Sequence, residues 1–398
     1  MSRHGLWAIA LLSSAVLVAP AAAQNCGGDF GNWLDGVREE ALAQGVSPAA
    51  VAVLDDVRFD QSIIDMDRRQ GVFAQTFLEF SGRMVNSYRL KHGAARLSKY
   101  KKTFDALEEQ YGVPPGPIAS FWGLETDYGA NLGKSSTLNS LASLAFDCRR
   151  PEKFRPELIA ALRIIERGDL APDEMRGAWA GEIGQAQFMA KDYFEKAVDY
   201  DGDGRRNLLK SVPDVLASSA NYLSIAGWRR GEPWLEEVRV PPDLDWQQAD
   251  LEIKHPRAQW AKWGVRTPSG KPIEADELQA SLLLPMGRNG PAFLAYENFN
   301  AFLTWNQSLV YATTAAYFAT RLQGAPAVGK GNGEVEPFGA KQVFELQELL
   351  TRHGYDIGKV DGKLGLATRG AVKEVQIKLG MPADSYPTSE LLARLRDM

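Results

Sequence analysis

Residues 112–129 read GVPPGPIASFWGLETDYG, and this stretch decides the fold. Pro114 and Pro115 suit the first turn of a helix, where a missing N–H costs nothing and φ is already set. Ile118, Phe121, Trp122 and Glu125 then follow at spacings of three and four, so they share one helical face. A carboxylate therefore sits on the stripe that packs inward, beside two aromatic rings. There it loses hydration, its charged form is disfavoured, and it becomes a proton donor near neutral pH. On these residues alone the alternative is a Glu at the rim of a core helix, paired with an Arg, because structural ion pairs also perturb titration.

The 398 residues suffice for two domains with ample core. A net charge of −5 gives no electrostatic case for nucleic acid or an anionic membrane surface. At the N-terminus, Arg3 and His4 precede an apolar run over residues 6–18 that ends in Ala21-Ala22-Ala23. This pattern predicts a secretory signal, residues 1–23, cleaved after Ala23, and the run is short for a membrane span. Ala23-Gln24-Asn25 before Cys26 makes a poor lipobox, so the mature chain is expected to be soluble in an oxidising envelope compartment, the periplasm. There Cys26 and Cys148, the only two cysteines, can form one disulfide; two buried free thiols are the alternative.

Residues 29–110 read as helical. Phe30, Trp33, Leu34 and Val37 keep helical spacing, Ser47-Pro48 opens another helix, and Val72, Phe73, Phe77 and Phe80 continue the core pattern. Residues 97–111 read as one amphipathic helix leading into the Glu125 segment. Asp199, Asp201 and Asp203 with Gly204 begin like an EF-hand loop, but Lys210 stands where the bidentate Glu belongs, so any cation would be held weakly. Residues 230–290, Pro-rich with several Trp and a run at 280–284, read as a small β excursion. Residues 323–337, rich in Gly, Pro and Ala, read as a linker. Beyond them, residues 338–398 read as a small helical module with Gly-terminated turns and Thr368 opening its second helix.

Several blocks together carry a resemblance. Gly112-Val-Pro-Pro with Gly123-Leu-Glu-Thr-Asp-Tyr-Gly129 resembles the catalytic-helix signature of the membrane-bound lytic transglycosylase B family. Residues 177–193, GAWAGEIGQAQFMAKDY, resemble the family's Gly-Gln-x-Gln-Phe groove block. Leu346-Gln347, Gly354-Tyr355, Asp361-Gly362, Gly365 and Val375-Gln376 resemble the peptidoglycan-binding domain 1 family. The resemblance implies a mainly α, lysozyme-like catalytic domain over residues 24–322 with a small β excursion, followed by a three-helix peptidoglycan-binding module.

It also implies roles. Glu125 becomes the single catalytic acid. Arg149 and Arg150 match an arginine pair near the sugar subsites, where forked donors could hold a carboxylate or sugar oxygen. Gln187 offers an amide to an N-acetyl group or hydroxyl, and Phe188 a stacking face. Tyr222 and Tyr311 match groove aromatics. Trp305-Asn306 stands where Tyr-Asn is usual, so a phenol hydrogen bond is expected to be lost. Ala178 replaces a Ser that would orient the acid, and Ala190-Lys191 replaces Pro-Ser. The family's variant cation loop adds Asp214 and the Arg205 carbonyl to Asp199, Asp201 and Asp203, for a structural Ca²⁺; the chemistry itself requires no cofactor.

The implied partner is the peptidoglycan glycan strand. Its bond between N-acetylmuramic acid and N-acetylglucosamine would be cleaved to a 1,6-anhydro end. Nucleic acid and a membrane span are not expected, and no particular cell-wall synthesis or division protein is indicated. Two other functions are weighed. A hydrolytic muramidase needs a second carboxylate across from Glu125; Asp127 is the nearest acid but, two residues along a helix, faces away, and Glu182 and Asp147 are more distant candidates. A catalytically inactive peptidoglycan-binding scaffold would rest on the departures at Ala178 and Trp305.

Overall fold

The helix that begins at Pro115 lies at the centre of the large N-terminal helical core. In the computed structural model, residues 27–69 and 75–398 are described; the expected leader at 1–23, Cys26, Val72 and Phe73 lie outside the described residues. Helix Pro115–Thr126 starts with proline in its first turn, as its sequence predicts. It ends where Asp127 and Tyr128 adopt φ of 51° and 62°. The expectation of one inward face needs correction: residues 116–124 are buried on every side. A helix apolar all round belongs in a core, and here helices Leu309–Leu322, Ser87–Lys99, Val212–Ile225 and Lys101–Tyr111 surround it. Gly116 and Gly123 permit that approach. A Cβ would come within 2.9 Å of the Ala319 carbonyl at the first and 2.8 Å of the Tyr128 ring at the second.

The single helix expected over residues 97–111 is two, Ser87–Lys99 and Lys101–Tyr111. The chain bends at Tyr100, whose ring lies edge-on to Trp122 at 6.0 Å. Packing against the central helix overrides a periodicity that ran straight through. Gly112 closes the second piece with a left-handed cap. Ser47 caps Pro48–Val51 as expected, accepting from the Ala50 amide.

The β excursion is an antiparallel sheet with strand order Leu235–Val238, Ala292–Ala295, Gln279–Leu283, His255–Pro256. It has its own core around Val240, Trp260, Val265, Leu282 and Leu294. Trp260 donates its indole N–H to the Ala280 carbonyl at 2.9 Å, which satisfies the polar edge of a fully buried ring.

Residues 323–337 contain no helix or strand beyond the final turn after Leu322, yet they are held down. Gly329 donates its N–H to Glu237, and Asn332 its side-chain amide to the Val240 carbonyl. Helices Ala340–Arg352, Leu366–Lys378 and Ser389–Arg396 then form the C-terminal module around Leu346, Leu350, Val372 and Leu391. Thr368 does not open the second helix; Gly365 is its N-cap. Thr368 lies a turn inside, buried, and accepts from Gln347 at 3.1 Å. The module docks on the β excursion: Arg369 donates to the Leu284 and Pro285 carbonyls, and Lys373 pairs with Asp250 at 2.9 Å.

Candidate active site

Glu125 leaves the central helix one residue before its end and meets two donors from the far end of the catalytic region. Tyr311, in helix Leu309–Leu322, donates its hydroxyl to Glu125 Oε1 at 2.5 Å. Trp305, the last residue of helix Phe299–Trp305, donates its indole N–H to the same oxygen at 3.1 Å. Both donors hold Oε1, so the proton of the neutral acid belongs on Oε2. The phenol bond expected to be lost at Trp305 is therefore replaced by an indole one. The larger ring reaches the acid while stacking on Phe121, with centroids 4.0 Å apart and planes 13° apart.

Phe188 and Tyr222 pack against Trp305 at 5.4 and 4.8 Å, completing an aromatic wall behind the carboxyl. Burial in this wall pushes the Glu125 carboxyl from 4.5 to about 7, against the downward pull of its two hydrogen bonds; the charge of Glu182 adds to the rise. Burial and Glu125 together push the Tyr311 phenol well above its usual range, so it remains a donor throughout the working pH.

The 177–188 block forms a tight turn against the central helix. Ile183 and Phe188 exchange backbone hydrogen bonds at 2.8 and 3.0 Å. Gln185 ties the two segments together: it accepts from the Trp122 indole at 2.8 Å, and its carbonyl accepts from Thr126 at 2.6 Å. Gln187 has φ of 51°, a left-handed conformation uncommon outside glycine, and its side chain donates to the Gly184 carbonyl at 2.8 Å. Phe188 is only 3% exposed, so it supports Trp305 rather than offering the stacking face expected of it. Tyr222 is likewise buried and donates to the Thr304 carbonyl. Asn306 accepts from the Ser308 amide at 2.9 Å and shapes the turn between the Trp305 and Tyr311 helices. Ala190 opens helix Ala190–Lys196 without a side-chain cap; the Glu157 carboxylate accepts from the Lys191 amide instead.

Arg149 and Arg150 are not brought to Glu125 by any contact. Both pair with Asp67, which is 1% exposed, Arg149 at 2.5 Å. Sequence reasoning missed Asp67, although it falls three and four residues after Ile64 and Ile63, the same pattern that singled out Glu125. Asp67→Ala is expected to destabilise the fold by about 2 kcal/mol. Breaking a buried pair costs several kcal/mol, reduced here because both arginines reach water. Urea unfolding at neutral pH measures it.

Asp199, Asp201 and Asp203 bring carboxylate oxygens within 4.8 Å of one another. Asp214 does not join them: its two oxygens accept from the Tyr200 and Asn207 amides at 2.8 Å each. The Arg205 and Lys210 side chains both pair with Glu174, and the expectation for Arg205 concerned its backbone carbonyl instead. The loop fits a weakly held cation on the three exposed or half-exposed aspartates, remote from any contact with Glu125. Cys148 is disulfide-bonded; its expected partner Cys26 lies outside the described residues, but the neighbouring Gly27 donates to the Phe146 carbonyl at 3.4 Å. A 780 Å³ cavity beside the β excursion, lined in part by Arg230, Trp234 and Arg257, includes none of the predicted site residues.

A buried acid with two fixed donors on one oxygen, set in a helical scaffold, defines a general-acid enzyme site. Residues 29–320 match the Transglycosylase SLT domain family and residues 339–395 a putative peptidoglycan binding domain, and the chain belongs to the first of these families. It is 31% identical over 238 residues to membrane-bound lytic murein transglycosylase B of Escherichia coli K12, a stretch covering 59% of this chain and 64% of that protein. Among solved structures it is similar to SltB3 from Pseudomonas aeruginosa in complex with NAG-anhNAM-pentapeptide, with TM-score 0.85 and 38% identity over 93% of this chain and all of that one. It is also similar to Escherichia coli Slt35 in complex with calcium, with TM-score 0.63 and 26% identity over 75% of this chain and 96% of that one. The fold is thus the mainly α, lysozyme-like one of the lytic transglycosylases.

Proposed function

We propose that the chain is a periplasmic lytic transglycosylase. It cleaves the β-1,4 bond between N-acetylmuramic acid and N-acetylglucosamine in peptidoglycan and leaves 1,6-anhydro ends. The observation that carries this reading is a carboxyl held neutral to about pH 7, with its Oε1 occupied and its Oε2 left for proton transfer. In the first step Oε2 gives its proton to the glycosidic oxygen and the bond to the anomeric carbon breaks, assisted by the substrate's own N-acetyl oxygen. The carboxylate then takes the proton from the C6 hydroxyl as that oxygen bonds to the anomeric carbon. Glu125 ends as it began, and no water enters. A group that donates and then accepts works best with its pKa near ambient pH.

Two of the three candidate second acids support a single-acid reading, because arginines already hold them. Asp127 pairs with Arg89 at 2.7 Å and Asp147 with Arg68 at 2.5 Å. Soluble products of purified peptidoglycan, weighed by mass spectrometry, test it. Muropeptides one water lighter and without a reducing end are expected. Reducing-end products would establish hydrolysis, and intact binding without products would establish a scaffold. The C-terminal module is assigned to holding the glycan strand, and Cys26 to the disulfide with Cys148.

For the cation loop we assign Asp199, Asp201 and Asp203 to a structural Ca²⁺ that braces the groove and takes no part in chemistry. Calcium at tenfold over its dissociation constant is then expected to add about 1.4 kcal/mol of stability. Asp199→Ala should abolish that increment in thermal unfolding, and the calcium-free protein should lose about 1 kcal/mol, because Asp199 also accepts from the Gly202 and Gly204 amides.

A further inference from the structure

With Asp127 and Asp147 tied to arginines, Glu182 is the remaining acid of the three candidates, and the mechanism above does not use it. Its backbone is fixed by the turn: the Ala178 amide donates to the Glu182 carbonyl at 3.2 Å. Gly177 must be glycine there, since a Cβ would lie 1.8 Å from that carbonyl oxygen. The carboxylate Oε2 is buried and has no hydrogen-bond partner among the described residues. Leaving such an acceptor unpaired costs about 1–3 kcal/mol, and a native orphan of this kind calls for an explanation. The charged groups that act on it are Lys153, in helix Pro151–Glu166, and Arg150, the N-cap of that helix. Glu182 in turn acts on Glu125, whose other neighbours are Tyr311 and Trp305.

We propose that Glu182 is a substrate-positioning residue of this site, whose unpartnered oxygen accepts a hydrogen bond from a hydroxyl or amide N–H of the bound glycan. The inference rests on the assignment of Glu125 as the acid. It also couples binding to chemistry. Burial raises the pKa of Glu182, while its own backbone N–H, Lys153, the Ala180 N–H and Arg150 lower it. A substrate donor favours the ionised form further, and that charge strengthens the hold of Glu125 on its proton. Filling the site therefore arms the acid.

The test compares wild type, Glu182→Ala and Glu182→Gln in the full chain on soluble peptidoglycan oligosaccharides, with pH profiles and thermal unfolding. Glu182→Ala loses the acceptor, so KM is expected to rise about tenfold with no fall in Tm. Glu182→Gln keeps an acceptor oxygen but loses the charge. Its KM should stay near wild type, while the alkaline limb of kcat/KM moves to lower pH because the repulsion on Glu125 is gone. An active wild type with both variants unmoved in KM and in pH profile overturns this inference alone. A rise in KM that merely follows a lowered Tm in both variants does the same. A wild type that yields no anhydro product overturns the assignment of Glu125, and this inference with it.

Discussion

Glu125→Gln is expected to cut anhydro-product formation by about 1,000-fold or more, the scale of removing a positioned general acid and base in one step. The amide is a fair replacement in every other respect. Its oxygen can still accept from Tyr311 and Trp305, so the wall behind it should not move. The same substitution should make the protein more stable at alkaline pH. The folded-state pKa of Glu125 lies above its ordinary 4.5, at about 7. Folding therefore favours the protonated form, and a penalty grows as pH rises from about 4.5 to 7 and stays in place above that. Each pKa unit is worth about 1.4 kcal/mol, and with part of the side chain reaching water a gain of roughly 2 kcal/mol is expected at pH 8. Below pH 4.5 the gain should vanish. Thermal unfolding of both proteins across this range, beside the product assay, checks the two claims together. Lost activity with lower stability at pH 8 would mean that Glu125 supports the fold instead of straining it.

Tyr311→Phe should have the next largest effect, a fall in kcat of about 10- to 100-fold, as when one preorganised donor to a developing charge is removed. Once Glu125 has given up its proton, the phenol at 2.5 Å stabilises the carboxylate left behind. That bond lowers the Glu125 pKa, so its loss raises it. The alkaline limb of the rate profile is then expected to move to higher pH. The deficit against wild type should be greatest in acid and narrow above pH 7, where more of the variant remains protonated. This shift runs opposite to the one expected for Glu182→Gln. An alkaline limb that moved down in Tyr311→Phe would overturn the assigned donor role.

Much of this site was legible along the chain because its key signals are local. Prolines at 114 and 115 start the central helix, and a carboxylate three and four residues after Trp122 and Phe121 marks a buried acid. Prolines, several Trp and a β-like run at 280–284 announced the β excursion. What periodicity could not reveal was the number of neighbours around the helix. Spacing describes one face, while burial on every side depends on four other helices arriving. The break at Tyr100 was hidden for the same reason, since a contact with Trp122 made it and not a breaker residue.

The roles of particular side chains divide along the same line. By itself, the sequence placed a carboxylate in an apolar setting on the central helix and a Gly-rich block at residues 177–193, because each follows from residues a few positions apart. Only the tertiary structure decided what holds the acid and what is left over. Trp305 and Tyr311 stand 180 and 186 residues from Glu125, and no local pattern reports that an indole can reach an oxygen a phenol was expected to serve. Arg149 and Arg150 looked like substrate donors until Asp67, 82 and 83 residues upstream, took them. Glu182 looked like one acid among three until the other two found arginines. Hydrogen bonds and ion pairs saturate, so a side chain's availability to a ligand depends on which distant partners the fold has already given it.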